Sequence, residues 1–582
     1  MLKRKKIDLT FENILVDAEL NILRWYDFTD QAKVLSVGWN HSVTERFCRE
    51  REYLFWNVKP DGLLYEDFSI RHCNEMDYVI LMETIEVTES PEELIRKAYE
   101  CLSENGTMLV IANNRYAIKH FCGEKTPYES KLYHELEGET SEDGSHCWGI
   151  GEIEDLFCNA GITKFQKYAV FPSLYHVKKV YSFDYTIKDK ANIMLSPWYR
   201  DNRLVYAHEE KMYDGLISSG LFYPMANGFF FEIKKSGRGC GILSATVSSC
   251  RPAERQFITV IRENRKVEKR PVYENGMVHL KQLEKNHEYL CERGLHLISG
   301  RLKNDVYETD FADSPGLLEH MRRAFYNGHG EIITLFDQFV EELKKSSTWE
   351  EDAELGEIME HGFADLVPQN CFYEEGKFLF YDQEYDIPYF PLKVIIFRSL
   401  VILYNVYPEF EKGLPFSFFL ERYGILENRK KIQQIERDFL VGLNMENIMQ
   451  LHKDYHNSCE AAIQANSHAL NEESLKRQLM DKCQIDMENK KLILFGINSQ
   501  TKKFIKKYAD RSCIEFLIED DLVQQGKDLE GYPVYAIDKL ADLDCSEYQV
   551  IIFDKDFLAS YQRLYRWGIR NFGVYEIEGN RQ

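Results

Sequence analysis

The chain has 582 residues, 44% hydrophobic and 29% charged, a composition that excludes a disordered polypeptide. At ~100–200 residues per domain it predicts roughly three to five folded units. A formal net charge of -23 argues against nonspecific binding to nucleic acid or an anionic membrane, because phosphate contacts need clustered Lys and Arg, and leaves room only for a local basic pocket.

The 14 cysteines include no C-x-x-C pair, which predicts reduced thiols and no structural zinc. The basic run Lys3-Arg4-Lys5-Lys6 is not followed by a long apolar segment and does not read as a signal peptide. Pro391 to Tyr407 is the most apolar stretch, but Lys393, Arg398 and Asn405 interrupt it, so a buried helix is expected there and no transmembrane segment. These features predict a soluble, cytoplasmic protein.

Lys33 to Val37 reads as a strand ending at Gly38, and Tyr78 to Met82 as a second strand entered from Asp77. A helix is expected over Pro91 to Leu102, with Ser90 as N-cap and Pro in its first turn. Asn105-Gly106 then turns the chain into a strand over Thr107 to Ala112. Strand, helix, turn and strand in this order predict a parallel sheet.

From about residue 186 the pattern changes. Phe229 to Ile233, Gly241 to Val247 and Gln256 to Ile261 read as short strands of an antiparallel sheet. Residues 315–345 and 391–460 are mostly helical, and the acidic stretch Ser346 to Glu354 reads as a loop. A second α/β unit starts at Lys491, with strands at Leu492 to Phe495, Ile514 to Ile518, Tyr532 to Tyr535 and Val550 to Phe553. The expected fold class is α/β multidomain. It comprises a Rossmann-like sheet in 1–185, a connecting region and small lobe in 186–345, and a helical lobe in 346–460. A helical linker in 461–489 and a small doubly wound domain in 490–582 complete it.

In a parallel α/β sheet the ligand sits beyond the carboxyl ends of the strands. One glycine at a strand end is a weak signal by itself, and Gly38 is equally consistent with a simple turn. The longer order Val34-Leu35-Ser36-Val37-Gly38, Asp77-Tyr78-Val79-Ile80-Leu81, Leu102 to Gly106, and Ile111-Ala112-Asn113-Asn114-Arg115-Tyr116 is more telling. With Tyr199-Arg200-Asp201-Asn202-Arg203 and Gly220-Leu221-Phe222, it resembles class I S-adenosylmethionine-dependent methyltransferases encoded with bacterial surface-polysaccharide enzymes. The resemblance spans roughly residues 10–235.

It implies S-adenosylmethionine as cofactor, with Gly38, Asn40, Asp61, Asp77 and Glu83 as cofactor-binding residues. Glu66-Asp67 are alternatives to Asp61, and Glu83 and Glu86 either face the acceptor or cap the next helix. The sequence departs from the family pattern where Ser36, Trp39, Asn40 and Ser42 occupy a glycine-rich stretch. Trp39 there is expected to crowd the ligand.

A second constellation lies downstream. Asp365 and Asn370 stand five residues apart, and a hairpin around Glu374-Glu375-Gly376 leads to Asp382. Phosphoryl transfer needs an Asp near the acceptor hydroxyl and an Asn and an Asp on Mg²⁺. The pattern resembles aminoglycoside-phosphotransferase-like kinases. That resemblance implies Asp365 as catalytic residue, Asn370 and Asp382 as metal ligands, and Mg-ATP as cofactor. Lys269 is the best phosphate-binding lysine, with Lys266 the runner-up. Gly237, Gly239 and Gly241 alternate upstream without forming a glycine-rich loop, and His361-Gly362 stands apart from Asp365.

The region 491–582 resembles small nucleotide-binding-like domains, with a single Gly496 at the first turn and Asp520 and Asp521 at a strand end. Three functions remain open: a methyltransferase acting on a glycan or glycolipid-linked substrate, a Mg-ATP-dependent sugar or glycan kinase, and a non-catalytic scaffold for polysaccharide-assembly enzymes.

Overall fold

The computed structural model describes residues 11–575 except 66–67, 130, 188–192, 194, 237–238, 250, 471–485, 487–488, 509–512, 520–523, 544–545 and 554–556. The run Lys3 to Lys6, Glu66-Asp67, Gly237, Asp520-Asp521 and much of the expected linker therefore lie outside the described residues. The chain divides into two compact units, Met1–Cys459 and Glu460–Gln582.

The first unit is organised by strands β1 (Lys33–Val37), β2 (Leu54–Val58), β3 (Met76–Met82), β4 (Leu102–Asn113), β5 (Gln166–Phe171), β6 (Lys179–Ser182) and β7 (Gly228–Lys234). They are followed by β8 (Ile242–Val247), β9 (Phe257–Arg262), β10 (Lys266–Pro271), β11 (His296–Leu297), β12 (Gly300–Lys303) and β13 (Val306–Asp310). One 12-stranded sheet runs in the order β12-β13-β10-β9-β8-β6-β5-β7-β4-β3-β1-β2. Strands β1 to β4 pair in parallel, which puts their carboxyl ends along one edge. From β4 onward every pairing is antiparallel.

The expected parallel and antiparallel regions are thus two halves of a single sheet, joined where β4 pairs antiparallel with β7. Phe229 to Ile233, grouped by sequence with the later antiparallel run, forms β7 between β4 and β5. Phe229, Phe230 and Phe231 are all fully buried, as expected for a strand covered on both faces. Along one face a continuous core joins Trp25, Phe47 and Ile80 to Tyr168, Phe230, Val260 and Tyr273.

Two local expectations are corrected. The helix after β3 spans Pro91–Glu100, and Ser90 makes no side-chain cap; Pro at the first turn and acids Glu92 and Glu93 start the helix instead. Asn105-Gly106 lies inside the long β4, at a register irregularity opposite Met76. Gly106 is needed there because a Cβ would stand 2.7 Å from the Met76 carbonyl oxygen.

The rest of the unit is mainly helical. Helices Leu317–Asn327, His329–Lys345 and Leu392–Val406 surround a second core. Strands β14 (Trp349–Asp352), β15 (Gly356–Phe363), β16 (Cys371–Glu374), β17 (Lys377–Phe380) and β18 (Asp386–Pro391) form two small sheets, with β11 beside β17. The acidic stretch expected as a loop therefore contains β14, paired antiparallel with β15. The apolar segment after Pro391 is a helix buried through Leu392, Ile395, Leu400 and Leu403. Among the described residues no helix is long and apolar enough to cross a membrane.

The second unit holds β19 (Lys491–Phe495), β20 (Ile514–Ile518), β21 (Asp528–Leu529), β22 (Tyr532–Tyr535), β23 (Tyr548–Ile552) and β24 (Phe572–Val574), in the order β21-β22-β20-β19-β23-β24. All pairings are parallel except β21 with β22, and separate apolar clusters cover the two faces.

Candidate functional site

A cleft of about 860 Å³ opens at the carboxyl edge of β1, β2 and β3. Gly38 follows β1 directly, and its amide donates to the Val58 carbonyl at 3.0 Å, tying the ends of β1 and β2 together. A Cβ on Gly38 would meet Thr84 Oγ1 at 3.2 Å, where that hydroxyl bonds the Val37 and Met82 carbonyls. The turn that follows is held by Ser36 Oγ, which contacts His41 Nδ1 at 3.0 Å and Thr44 Oγ1 at 2.7 Å. Asn40 Oδ1 accepts from the Ser42 amide at 3.0 Å in the turn ahead of the helix Ser42–Glu50.

The cleft is lined by Trp39, Asn40, Asp61 and Tyr65, by Met82 and Glu83 at the end of β3, and by Tyr128, Asp143, Ser145, Tyr175 and Arg200. Asn40, Asp61 and Glu83, expected from sequence to share a site, are brought together. Asp77 is not. It sits at the opposite end of β3, where its carboxylate accepts from the Lys33 amide at 2.9 Å. Trp39, expected to crowd the ligand, lines the cleft; its indole is 52% exposed, with Lys59 Nζ 5.2 Å from its ring centre.

Glu83 adopts φ +50°, a left-handed conformation that a non-glycine residue enters only against a steric cost. Its carboxylate accepts from Asn113 Nδ2 at 2.6 Å and from the Tyr175 hydroxyl. Burial raises its pKa above the usual carboxylate value, against the opposing pull of the Asn113 bond, Arg200 and Lys119. Glu86 lies behind it and is fully buried. Its Oε1 accepts from the Asn113 amide at 3.0 Å, and its Oε2 has no partner among the described residues. Burial, reinforced by Glu83, pushes its carboxyl up to about 8.

Sequence reasoning missed Tyr128, Asp143 and Tyr175, which come from segments without strand or helix patterning. Arg200 stood in a quoted motif but without a role. It belongs to a strap over residues 195–205 whose position is set far along the chain. Trp198 stacks on Tyr455 at 4.6 Å, and the Tyr199 amide donates to the Tyr455 hydroxyl. The Arg200 amide donates to Glu124 Oε1 at 2.9 Å.

A second polar cluster forms between β10 and the segment after β17. Lys269 Nζ lies 2.6 Å from Asp382 Oδ1 and also pairs with Glu384. Asp382 takes φ +61°. Asn286 on the helix Met277–Glu292 donates to the Gln383 carbonyl at 2.9 Å, fixing this segment. Asn370 Nδ2 donates to the Asp365 carbonyl at 3.3 Å, and Arg398 lies 3.7 Å from the Asp365 carboxylate. Burial holds the Asp365 carboxyl up at about 6, opposed by Arg398 and supported by Asp382.

Lys266, the runner-up, is instead at the start of β10 and bound to Asp310 at 2.5 Å. The Asn370 and Asp382 side-chain oxygens are hard donors of the type Mg²⁺ prefers. Among the described residues no group of three or more His, Cys, Asp and Glu side chains is arranged around a metal position.

In the second unit Gly496 takes φ +91° at the turn after β19. The amides a phosphate would use there are already bonded: Ile497 N to Glu519 Oε2 at 2.7 Å, and Gln500 N and Thr501 N to Asn498 Oδ1 at 2.8 and 3.2 Å.

No protein-family model matches the sequence, and no curated protein matches it. Solved structures with some similarity include an S-adenosylmethionine-dependent methyltransferase of Thermotoga maritima, 12% identical over 39% of this chain and 91% of that one, TM-score 0.23. Another from Archaeoglobus fulgidus is 10% identical over 39% of this chain and 94% of that one, TM-score 0.24. The phosphoethanolamine N-methyltransferase 2 of Haemonchus contortus, in complex with S-adenosyl-L-methionine, is 15% identical over 38% of this chain and 52% of that one, TM-score 0.22. At scores this low, none of them assigns an activity to this chain.

Proposed function

We propose that the chain is an S-adenosylmethionine-dependent methyltransferase that acts on a glycan or glycolipid-linked hydroxyl during bacterial surface-polysaccharide synthesis in the cytoplasm. The observation that carries this reading is the convergence of Asn40, Asp61 and Glu83 from three successive strand ends on one cleft of about 860 Å³. That volume lies in the range of small-molecule sites. The bound cofactor supplies an electrophilic methyl group on a sulfonium. Asp61, at the first turn of the helix Pro60–Tyr65, is placed to accept from ribose hydroxyls, and the exposed faces of Trp39 and Tyr65 are available to a purine. Tyr128, Asp143, Ser145 and Tyr175, which line the same cleft, suit a polyhydroxyl acceptor.

Calorimetric titration with S-adenosylhomocysteine tests this reading. Wild-type protein is expected to bind, and Asp61→Ala to bind ~10- to 100-fold more weakly, the loss of one or two charge-assisted hydrogen bonds. A wild-type protein that takes up neither S-adenosylmethionine nor its demethylated product would remove the proposal.

The contact of Lys269 with Asp382, 113 residues apart, favours a second reading as a Mg-ATP-dependent sugar or glycan kinase. On it, Lys269 holds a phosphate, Asn370 and Asp382 hold Mg²⁺, and Asp365 receives the acceptor proton. Mg-ATP binding is then expected in wild type and lost in Asp382→Ala; equal binding by the two proteins excludes it.

A further inference from the structure

Several features of Glu83 go beyond what holding a methyl donor requires. It is a non-glycine residue at φ +50°, turned so that its side chain faces the cleft. Each carboxylate oxygen is fixed by a donor from a different part of the fold: Asn113 at the end of β4 and Tyr175 in the segment after β5. A carboxylate offers about four lone-pair directions, so two such bonds fix its plane and leave acceptor capacity toward the cleft. The wall beside it carries Tyr128, Asp143, Ser145 and Arg200, a polar and aromatic surface suited to a polyol.

Resting on the reading of this cleft as a methyl-transfer site, we propose that Glu83 takes the proton of the acceptor hydroxyl, and that Tyr175 and Asn113 position its carboxylate for that purpose. As the acceptor oxygen bonds to the methyl carbon, the carbon–sulfur bond breaks and its electron pair stays on sulfur. The hydroxyl proton passes to Glu83. The products are a methyl ether, a neutral thioether and a carboxylic acid that returns its proton to water. The charged and titratable groups facing Glu83 are Glu86 on its own turn, Lys119, Tyr128, Tyr175 and Arg200. Burial pushes the Glu86 carboxyl up to about 8, and burial also raises Glu83, opposed by its Asn113 bond and by Arg200 and Lys119.

The test uses the full chain with methyl α-mannoside, methyl β-glucoside and methyl β-galactoside as acceptor probes. S-adenosylhomocysteine affinity is measured by calorimetry, glycoside binding by saturation-transfer NMR on the product-saturated protein, and transfer with methyl-labelled cofactor. Glu83→Gln keeps one oxygen to accept from Asn113 Nδ2, its new amide NH2 can donate to the Tyr175 hydroxyl oxygen, and the variant is expected to fold. The expected result is transfer at saturating cofactor reduced ~100-fold or more, with loss of the acidic limb of the pH profile. Glu83→Asp is expected to recover part of the rate, and Tyr175→Phe to lower kcat more than it raises KM.

Glu83→Gln with wild-type transfer and pH profile overturns the proposal. So does product-saturated wild type that binds none of the three glycosides, or wild type supplied with methyl-labelled cofactor that leaves unmethylated a glycoside it binds. Absence of cofactor binding in wild type is a different failure, that of the methyl-transfer reading itself, and it removes the role of Glu83 along with it.

Discussion

Arg24→Met is expected to destabilise the first unit by about 3–5 kcal/mol, the cost of removing one partner from a buried ionic cluster. The guanidinium is only 1% exposed. It bonds both oxygens of Asp17 at 2.8 and 2.9 Å, reaches Glu50, and donates to the Tyr273 hydroxyl at 2.9 Å. These partners come from the helix Phe11–Ala18, the helix Ser42–Glu50 and the segment after β10, so one side chain joins the parallel half of the sheet to the antiparallel half. Methionine fills much of the volume but leaves Asp17 and Glu50 facing each other with little water. The measurement is urea unfolding followed by intrinsic fluorescence, with Arg24→Lys as the comparison. Lysine keeps the charge but loses the fork that reaches two carboxylates and a hydroxyl together, so an intermediate loss is expected. A midpoint for Arg24→Met equal to wild type would show the cluster to be energetically neutral.

The second large effect is a pH dependence that Glu86→Gln removes. In the folded protein the Glu86 carboxyl titrates at about 8, raised from 4.5 by burial. Between those two values the folded state binds a proton that the unfolded state has already released. Stability from this group is therefore full below about pH 4.5, falls as pH rises through the window, and is lowest above about pH 8. Each tenfold change in proton affinity corresponds to about 1.4 kcal/mol, so the loss across the window is on the order of a few kcal/mol. Glutamine cannot ionise and occupies nearly the same volume. Thermal midpoints measured from pH 5 to pH 8.5 are expected to fall more steeply for wild type than for Glu86→Gln, with the variant the more stable at the alkaline end. Parallel curves for the two proteins would place the Glu86 titration elsewhere. The same titration bears on the cleft, because a second charge forming behind Glu83 above pH 8 would oppose the carboxylate there.

The two halves of the unit are not independent in this architecture. Asp27 receives Arg262 at 2.7 Å from β9 and also Arg270 from β10. Burial by itself would raise the Asp27 pKa, but the two guanidiniums outweigh it and hold the carboxyl below its usual value. Through β10, the strand that carries Lys269 is anchored to the residues just ahead of β1 that precede the cleft. The candidate sites thus share a single sheet.

Features that depend on neighbours along the chain are legible in the order of residues alone. The apolar run Val34 to Val37 closed by Gly38, the run Tyr78 to Met82, and the Asp365, Asn370 and Asp382 spacing all follow from strand alternation and turn chemistry within a few residues. The resemblance to methyltransferases named Asn40, Asp61 and Glu83, which line one cleft, and Asp77, which does not. The resemblance to kinases named Lys269 and Asp382, which are in contact.

Long-range packing settled the remainder. Asp77 and Glu83 flank the same strand, and only the direction of β3 within the sheet sends one to the cleft and the other to the far edge. The place of Phe229 to Ile233 depended on which strands it would pair with, a choice between β4 and β5 on one side and the later antiparallel strands on the other. Tyr175 and Arg200 reach Glu83 across long sequence separations, and Arg200 does so on a strap whose seat is Tyr455. Sheet order and cleft walls are fixed by the burial of whole surfaces against distant partners, and no local pattern encodes which partner wins.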